Sequence, residues 1–520
     1  MNSILTYIIL APLIGALVAL LIPRNYRFVI RSIALLSTFS AMAFALKMFF
    51  FDFVTGSIGR EQLTQKIPWI PSLGINYHVG VDGINVGLIL MGAIVAFAAV
   101  CVSRDIKTYE KEFYILLLVM AGGILGAFAS LDLFFFYFFH ELALVPTFIM
   151  IGIWGRGENK NYATFQITLY LSVGALLALI GLIALYLQLP ADTRTFNIVE
   201  LTKHFKAQPM ALAAQQLIFP LLLFGFGILV SLWPFHTWAP LGYASAPTAT
   251  AMLHAGVLKK FGLYGLIRIA LPLMPEGAKS WLHILAVLCL GNIIYCGFVA
   301  MRQRDLNMLI GNSSVAHMGF CFLGIASLTL IGITGAVTVM IAHGLLAALT
   351  FALSGYLYRQ KGTLDMDKMG GLLRQIPFVG TALVMAMMAG CGLPGFANFP
   401  GEALVLFGAW KAYPLVTALA IWGALVIGAV YMLRAIRSIL HGPVTNDASP
   451  VVDPISLWRK MPYALLLGFL ILFGFFPRLL TDKIRPSAQS IVEMATGQLK
   501  VTKVEAVPAP KPQPKPVKAQ

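Results

Sequence analysis

Apolar runs of membrane-spanning length recur along the whole chain, from "SILTYIILAPLIGALVALLI" at residue 3 to "MPYALLLGFLILFGFFP" at residue 461. A bilayer core of roughly 30 Å is crossed by a helix of about 20 apolar residues, and about fourteen such stretches can be read here. Inside hydrocarbon every backbone N–H and C=O needs a partner from the chain itself, so only helices and closed barrels cross it. Runs this long and this uniformly apolar are helical. Composition agrees: 59% of the 520 residues are hydrophobic, 11% are charged and the mean hydropathy is +0.84, whereas a soluble domain is about one quarter charged. The sequence predicts an all-α integral membrane protein with about fourteen transmembrane helices.

The first run has no basic residue before it and no small-residue cleavage site leading into a soluble domain, so it is expected to be the first span rather than a removed signal peptide. The formal charge of +16 does not point to nucleic acid, because Lys and Arg are spread over short loops rather than gathered in one patch. Arg24 and Arg27 follow the first span, Arg104, Lys107 and Lys111 the third, Arg156 and Lys160 the fifth, Arg302 and Arg304 the ninth. Arg359, Lys361, Lys368 and Arg374 follow the eleventh, and Arg434, Arg437, Arg459 and Lys460 the thirteenth. The exits of odd-numbered spans are thus expected in the cytoplasm, with both termini external. Cys101, Cys289, Cys296, Cys321 and Cys391 lie inside apolar runs without a CxxC pair, which argues against an iron-sulfur or zinc framework and for small core residues. No flavin, quinone or metal motif is legible, so no cofactor is expected in this chain.

Five regions are expected: residues 1–112 with three spans and an external loop at 53–83, residues 113–273 with the fourth to eighth spans, residues 274–440 with the ninth to thirteenth, residues 441–490 with the last span, and a Pro/Lys-rich disordered tail at 491–520. A second external loop covers residues 189–214, and both loops have the composition of an ordered surface cap. The seventh span runs into "LWPFHTWAPLG" and the twelfth into "CGLPGFANFPG", each with two prolines. Proline removes a backbone donor and clashes with the preceding turn, so both helices are expected to open at membrane depth. The two breaks lie five helices apart, the pattern of transporters built from two inverted five-helix repeats.

Few ionisable residues interrupt the spans. His140 and Glu141 interrupt "FFFYFFHELALVP", and His254, Lys259, Lys260, His317, His343 and Glu402 follow, with His236 inside the first helix break. A charge at the bilayer centre costs several kcal/mol, so such residues face the bundle interior and act in ion or proton pathways. The plainer alternative is a hydrogen-bonded packing group, and it applies most directly to the isolated histidines. Together the acids, histidines and lysines titrate on both sides of neutrality, as a proton relay requires. Lys259 and Lys260 are about 100° apart on a helix; one is expected to be buried and the other to snorkel or to meet a neighbouring helix.

The segments "HELALVPTFIMIGIWG", "PFHTW", "APTATAMLHAGVLKKFGLYG", "NSSVAHMGF", "MIAHGLLAALTFALSGYLY" and "NFPGEALVLFG", in this order, resemble the antiporter-like, proton-translocating membrane subunits of respiratory complex I, the bacterial NADH-quinone oxidoreductase. "ELALVP" with "GIWG" is closer to subunit M than to subunits L and N. The resemblance implies a subunit of the inner membrane of a bacterium, with L-like and N-like neighbours, and with quinone, flavin and iron-sulfur clusters in partner subunits. It implies a polar axis of Glu141, Lys260, His317, His343 and Glu402, with His140, His236, His254 and Lys259 as further candidates, and with the Glu141 carboxylate facing inward behind an aromatic wall. The family's seventh-span lysine is replaced by Leu229, the tryptophan before the glutamate by His140, and a lysine often found after "DL" by Asn307. Glu141 is then expected to rely on His140, and the first half-channel to be altered. Two other readings fit the same residues: a cation/proton antiporter or membrane hydrogenase subunit, and a non-pumping structural subunit.

Overall fold

The structure is a computed structural model, and it describes residues 4–56, 61–104, 106–442 and 451–497. Among these, eleven helices are long and apolar enough to cross a membrane. The third span, Val86–Val102, is shorter, and the eighth (residues 248–273) and twelfth are interrupted, which brings the fold to the expected fourteen spans. The tenth span, Leu306–Ala326, and the eleventh, Leu330–Lys361, are 94% and 100% buried over their apolar windows, whereas the first, Ile4–Leu21, is 44% and the last, Leu457–Phe475, 28%. The centre of the bundle is therefore built from the tenth and eleventh spans, and polar groups on them meet protein rather than lipid. Small residues let the twelfth span press against the eleventh. A Cβ on Gly335 would lie 2.6 Å from the backbone nitrogen of Val405, and one on Gly401 would lie 2.9 Å from that of Val339.

Both helix breaks occur. The seventh span runs Leu212–Val230, opens, and resumes as Trp238–Ser245; the twelfth runs Pro377–Gly390, opens, and resumes as Asn398–Trp410. Backbone freed inside a membrane must find partners in protein. At the first break Asn292, from the ninth span, supplies them. Its Oδ1 accepts from the Trp233 backbone N–H at 2.8 Å, and its Nδ2 donates to the carbonyls of Ser231 at 2.9 Å and Val315 at 3.2 Å. At the second break the Ala397 N–H donates to the Leu470 carbonyl at 2.9 Å, and the Gly390 carbonyl faces His317 Nε2 at 3.2 Å.

The membrane part is all-α, but the external loop at 53–83 adds a two-stranded antiparallel hairpin, β1 (Gln62–Ile70) and β2 (Ile75–Val81). The second external loop holds the helix Ile198–Ala207, capped by Asn197 Oδ1 accepting from Val199 N and Glu200 N. After the last span, the polar helix Arg478–Thr496 packs against the eleventh span and the end of the eighth, and just past the hairpin the Gly83 N–H donates to its Ser487 Oγ at 3.0 Å. That helix continues past residue 490, where a disordered tail was expected to begin; residues 498–520 of the expected tail lie outside the described residues. On the opposite face the exits of odd-numbered spans meet one another. The Arg156 guanidinium lies 4.6 Å over the Tyr358 ring, and Arg434 donates to the carbonyls of Met301 and Gln303. The loop charges thus lie together on one side of the bundle.

Candidate functional site

The eighth span is where local backbone geometry and buried charge meet. It begins as an α-helix over Thr248–Leu253, widens into a π-turn over His254–Leu258, and resumes as Lys260–Gly265. Enclosed on every side, it buries both lysines: Lys259 is 1% exposed and Lys260 0%. Neither snorkels, and each meets a neighbouring helix. The Lys259 ammonium donates to Ser314 Oγ on the tenth span at 3.3 Å and lies 5.6 Å over the Tyr243 ring. The Lys260 ammonium donates to the Ala255 carbonyl at 2.6 Å and sits 2.9 Å from His343 Nδ1 on the eleventh span. With lysine as donor, His343 accepts at Nδ1 and carries its proton at Nε2.

From His343 the series continues. The His343 and His317 ring centroids are 5.3 Å apart, and His317 Nε2 lies 3.6 Å from Glu402 Oε1. His317 is unusual in its partners, because both ring nitrogens face carbonyl oxygens: Nδ1 that of Ser313 at 2.8 Å and Nε2 that of Gly390 at 3.2 Å. A neutral imidazole donates only one hydrogen bond, so the second carbonyl and the nearby carboxylate together offer a place for an additional proton. Glu402 is buried one turn into the resumed twelfth span, and its Oε2 packs against Gly392 in the break, where a Cβ would lie 2.7 Å away. Beside it is a cavity of about 10 Å³ lined by His317, Cys391, Glu402 and Tyr431, the size that one water occupies. Lys260, His343, His317 and Glu402 thus join four spans in one buried series.

The structure treats the other end differently. His140 is buried and stacks on Phe261 with ring centroids 3.9 Å apart, while the Glu141 side chain is 31% exposed. Glu141 lies between Phe138 and Val145, both exposed, yet its Oε1 is buried, so the carboxylate sits at the bundle boundary rather than fully inside as expected. The aromatic run faces both ways: Phe134 and Phe138 stack on one another on the exposed side, while Phe136 is buried and stacks on Phe261 at 4.2 Å. Neighbours on a helix differ by about 100°, and packing has turned His140 inward and left Glu141 at the boundary. Glu141 Oε1 is 3.4 Å from His140 Nδ1. His254 packs against the Trp238 and Tyr243 rings, each at 5.5 Å between centroids, and its Nδ1 is buried without a hydrogen-bond partner. Leu229 is buried and supplies no cation. His236 packs edge-on against Tyr295 at 5.7 Å, and its Nδ1 is buried without a hydrogen-bond partner.

Two residues were missed from sequence. Tyr431, on the thirteenth span, donates to Ser313 Oγ at 3.3 Å, and that oxygen lies 3.4 Å from His317 Nδ1. Asn292 holds the first break open. A lone amide or phenol in an apolar run carries no periodic signal. Among the described residues no three His, Cys, Asp or Glu side chains are grouped to hold a metal ion, and all five cysteines are free.

Residues 130–428 match the sequence profile described as "NADH:quinone oxidoreductase/Mrp antiporter, TM". The chain belongs to this family. The matched stretch contains the whole buried series and both helix breaks. Among its relatives, NADH-quinone oxidoreductase subunit M of Rickettsia felis is 34% identical over 432 residues, covering 83% of this chain and 86% of the relative. The F(420)H(2) dehydrogenase subunit M of Methanosarcina mazei is 34% identical over 446 residues, with 85% and 89% covered. A chain of the respiratory complex I structure from Thermus thermophilus with bound NADH superposes with a TM-score of 0.84 at 28% identity, covering 94% of this chain and 99% of that one. A chain of the Mrp complex from Dietzia sp. DQ12-45-1b shares the fold, with a TM-score of 0.81 at 18% identity, covering 95% and 99%.

Proposed function

We propose that this chain moves protons through Glu402, His317, His343 and Lys260 as an antiporter-like membrane subunit of a complex I-type NADH-quinone oxidoreductase, and that it has no redox centre of its own. The observation that carries the reading is the buried series itself, in which acid, imidazoles and amine follow one another at 3.6 Å, 5.3 Å between rings, and 2.9 Å. Groups of this kind in a dry interior are costly unless they are used. Proton transfer needs donor and acceptor within hydrogen-bond reach directly or through one water, and the cavity at Glu402 has room for that water. The names of the Rickettsia and Thermus relatives support the oxidoreductase context. Quinone, flavin and iron-sulfur clusters belong to partner subunits, with L-like and N-like chains as membrane neighbours.

His140 and Glu141 form the surface end of the axis, with His254 as the step towards Lys259 and Lys260. Without a lysine at Leu229, a proton reaching Glu141 is passed through the His140 imidazole. The charged loops lie in the cytoplasm, the termini lie outside, and the membrane is the inner membrane of a bacterium, as the excess of Lys and Arg at odd-span exits supports. The likeness to the Mrp complex favours one second reading, an antiporter subunit without redox partners. Purifying the complex through a tag on this chain separates the two. Iron-sulfur proteins and an NADH- or quinone-reactive module are expected to co-purify; a complex of membrane antiporter subunits alone refutes the oxidoreductase reading.

A further inference from the structure

The resumed twelfth span begins with an amide that the proton series does not use. Asn398 is its first residue and is fully buried. Asparagine near a helix start commonly caps it, the side-chain oxygen accepting from a backbone N–H of the first turn. Asn398 caps nothing: no side-chain cap bond is made at this terminus, and both its Oδ1 and its Nδ2 are buried without closing a hydrogen bond. An unengaged polar group in a dry interior is destabilising, so a local structural role does not account for it.

The next turn of the same helix does. Residues four apart on a helix are neighbours on one face, and Glu402 is four residues on from Asn398. The Asn398 amide is near enough to interact with the Glu402 carboxyl, whose Oε1 is likewise buried without a hydrogen bond and lies 3.6 Å from His317 Nε2. A relay acid changes what it asks of its surroundings each time a proton passes. As a carboxylate it only accepts hydrogen bonds, and as a carboxylic acid it must also place one O–H. A side-chain amide carries two N–H donors at one end and an acceptor oxygen at the other, and a half-turn about its broad terminal torsion exchanges them. One asparagine therefore serves both protonation states. A lysine, which has no acceptor, would serve only the ionised one.

We propose that Asn398 is a positioning residue for the Glu402 carboxyl, donating to it when it is ionised and accepting from it when it is protonated, so that the acid keeps its place beside His317 as the proton comes and goes. The inference rests on the proton series, and Glu402→Gln, run alongside, separates its failure from the failure of that series. The intact complex is prepared as parent, Asn398→Leu, Asn398→Ser and Glu402→Gln. Two quantities are read: proton uptake into proteoliposomes at equal electron flux, and the carboxyl C=O band of protonated Glu402 in redox-induced infrared difference spectra, assigned by its absence from Glu402→Gln. Leucine has the same branching without polar atoms, and removal of unengaged polar atoms is compatible with full assembly. In Asn398→Leu proton uptake is expected to fall about fivefold, the weight of one hydrogen bond, and the band to move to higher frequency, as a carboxylic acid's does when it loses a hydrogen bond. Asn398→Ser, whose hydroxyl both donates and accepts, is expected to recover part of both. A merely structural asparagine would alter melting and leave the band in place. If the leucine variant does not accumulate, Asn398→Ala, which adds no bulk, is read in the same two ways. Parental uptake or an unmoved band in the apolar variant, with Glu402→Gln defective, overturns the proposal and leaves the series standing; parental uptake in Glu402→Gln removes both.

Discussion

Replacing Glu402 by glutamine tests the proton series at its best-defined joint. The substitution keeps the side chain's shape in the buried space beside Gly392 and removes the titratable carboxyl whose ionised form would face a protonated His317 at 3.6 Å from Nε2. At that separation and an effective dielectric near 20, a carboxylate and an imidazolium attract by about 4–5 kcal/mol. Tenfold in population corresponds to 1.4 kcal/mol, so full loss of the attraction lowers the share of molecules with a proton on His317 by roughly 10³. If the glutamine dipole recovers half of the attraction, the loss is still about 40-fold. A relay that passes through that state slows by at least an order of magnitude, so the complex is expected to translocate fewer protons per electron. His140→Gln, at an end that already lacks its lysine, is expected to have the smaller effect. The assay is proton uptake into proteoliposomes per electron transferred, with complex abundance checked on native gels. A Glu402→Gln complex that assembles at the parental level and keeps the parental proton-to-electron ratio would refute the series as a proton path and favour a structural role for this chain.

Asn292→Leu removes the partners of the Trp233 N–H and the Ser231 carbonyl at the first break; at about 1–3 kcal/mol for each orphaned group, the complex is expected to melt earlier in detergent and accumulate less, and parental melting refutes the role given to Asn292. A cysteine at Lys368, in an exposed loop, is expected to resist an impermeant maleimide added to intact cells, whereas one at Lys203 reacts; the opposite pattern inverts the topology. His78 in β2 accepts from the Asn197 amide at 2.9 Å, and burial, aided by the charge of Lys66, holds its pKa below 6.5. Because the folded value lies below the unfolded one, the neutral ring stabilises the hairpin above about pH 6.5, and that contribution is lost as pH falls through the folded value. Hydrogen exchange across Ile75–Val81, corrected for intrinsic rates, is expected to rise on acidification in the parent and less so in His78→Asn; equal rises in both would remove His78 as the cause.

Much of the architecture was legible because membranes make sequences explicit. Span number followed from apolar length, and both helix breaks followed from paired prolines, whose effect on a helix is local. Lys260, His317, His343 and Glu402 stood out because ionisable groups are rare in such runs, and burial then brought them together. The facing of Glu141 was not legible: two adjacent residues on a helix both precede leucine and alanine, and only packing against Phe261 selects His140 for the interior. The burial of both lysines escaped notice for a related reason, since a helix enclosed on all sides leaves no outward face for either. The hairpin lay in a loop whose nine-residue first strand, "QLTQKIPWI", mixes polar and apolar residues without a strict alternation.

The π-turn at His254–Leu258 makes the number of residues in this stretch as consequential as their identity. Losing a single residue there would leave a sound helix, yet it would rotate everything beyond by about 100°. Lys260 would swing away from His343, and Arg268, two turns further on within a second π-turn at Leu266–Ala270, would swing away from Asp82. Both contacts thus depend on the length of this five-residue turn, and the Arg268 contact on that of the second turn as well. Exchange of one small apolar side chain for another in that turn is compatible with both contacts, while a one-residue deletion breaks them together.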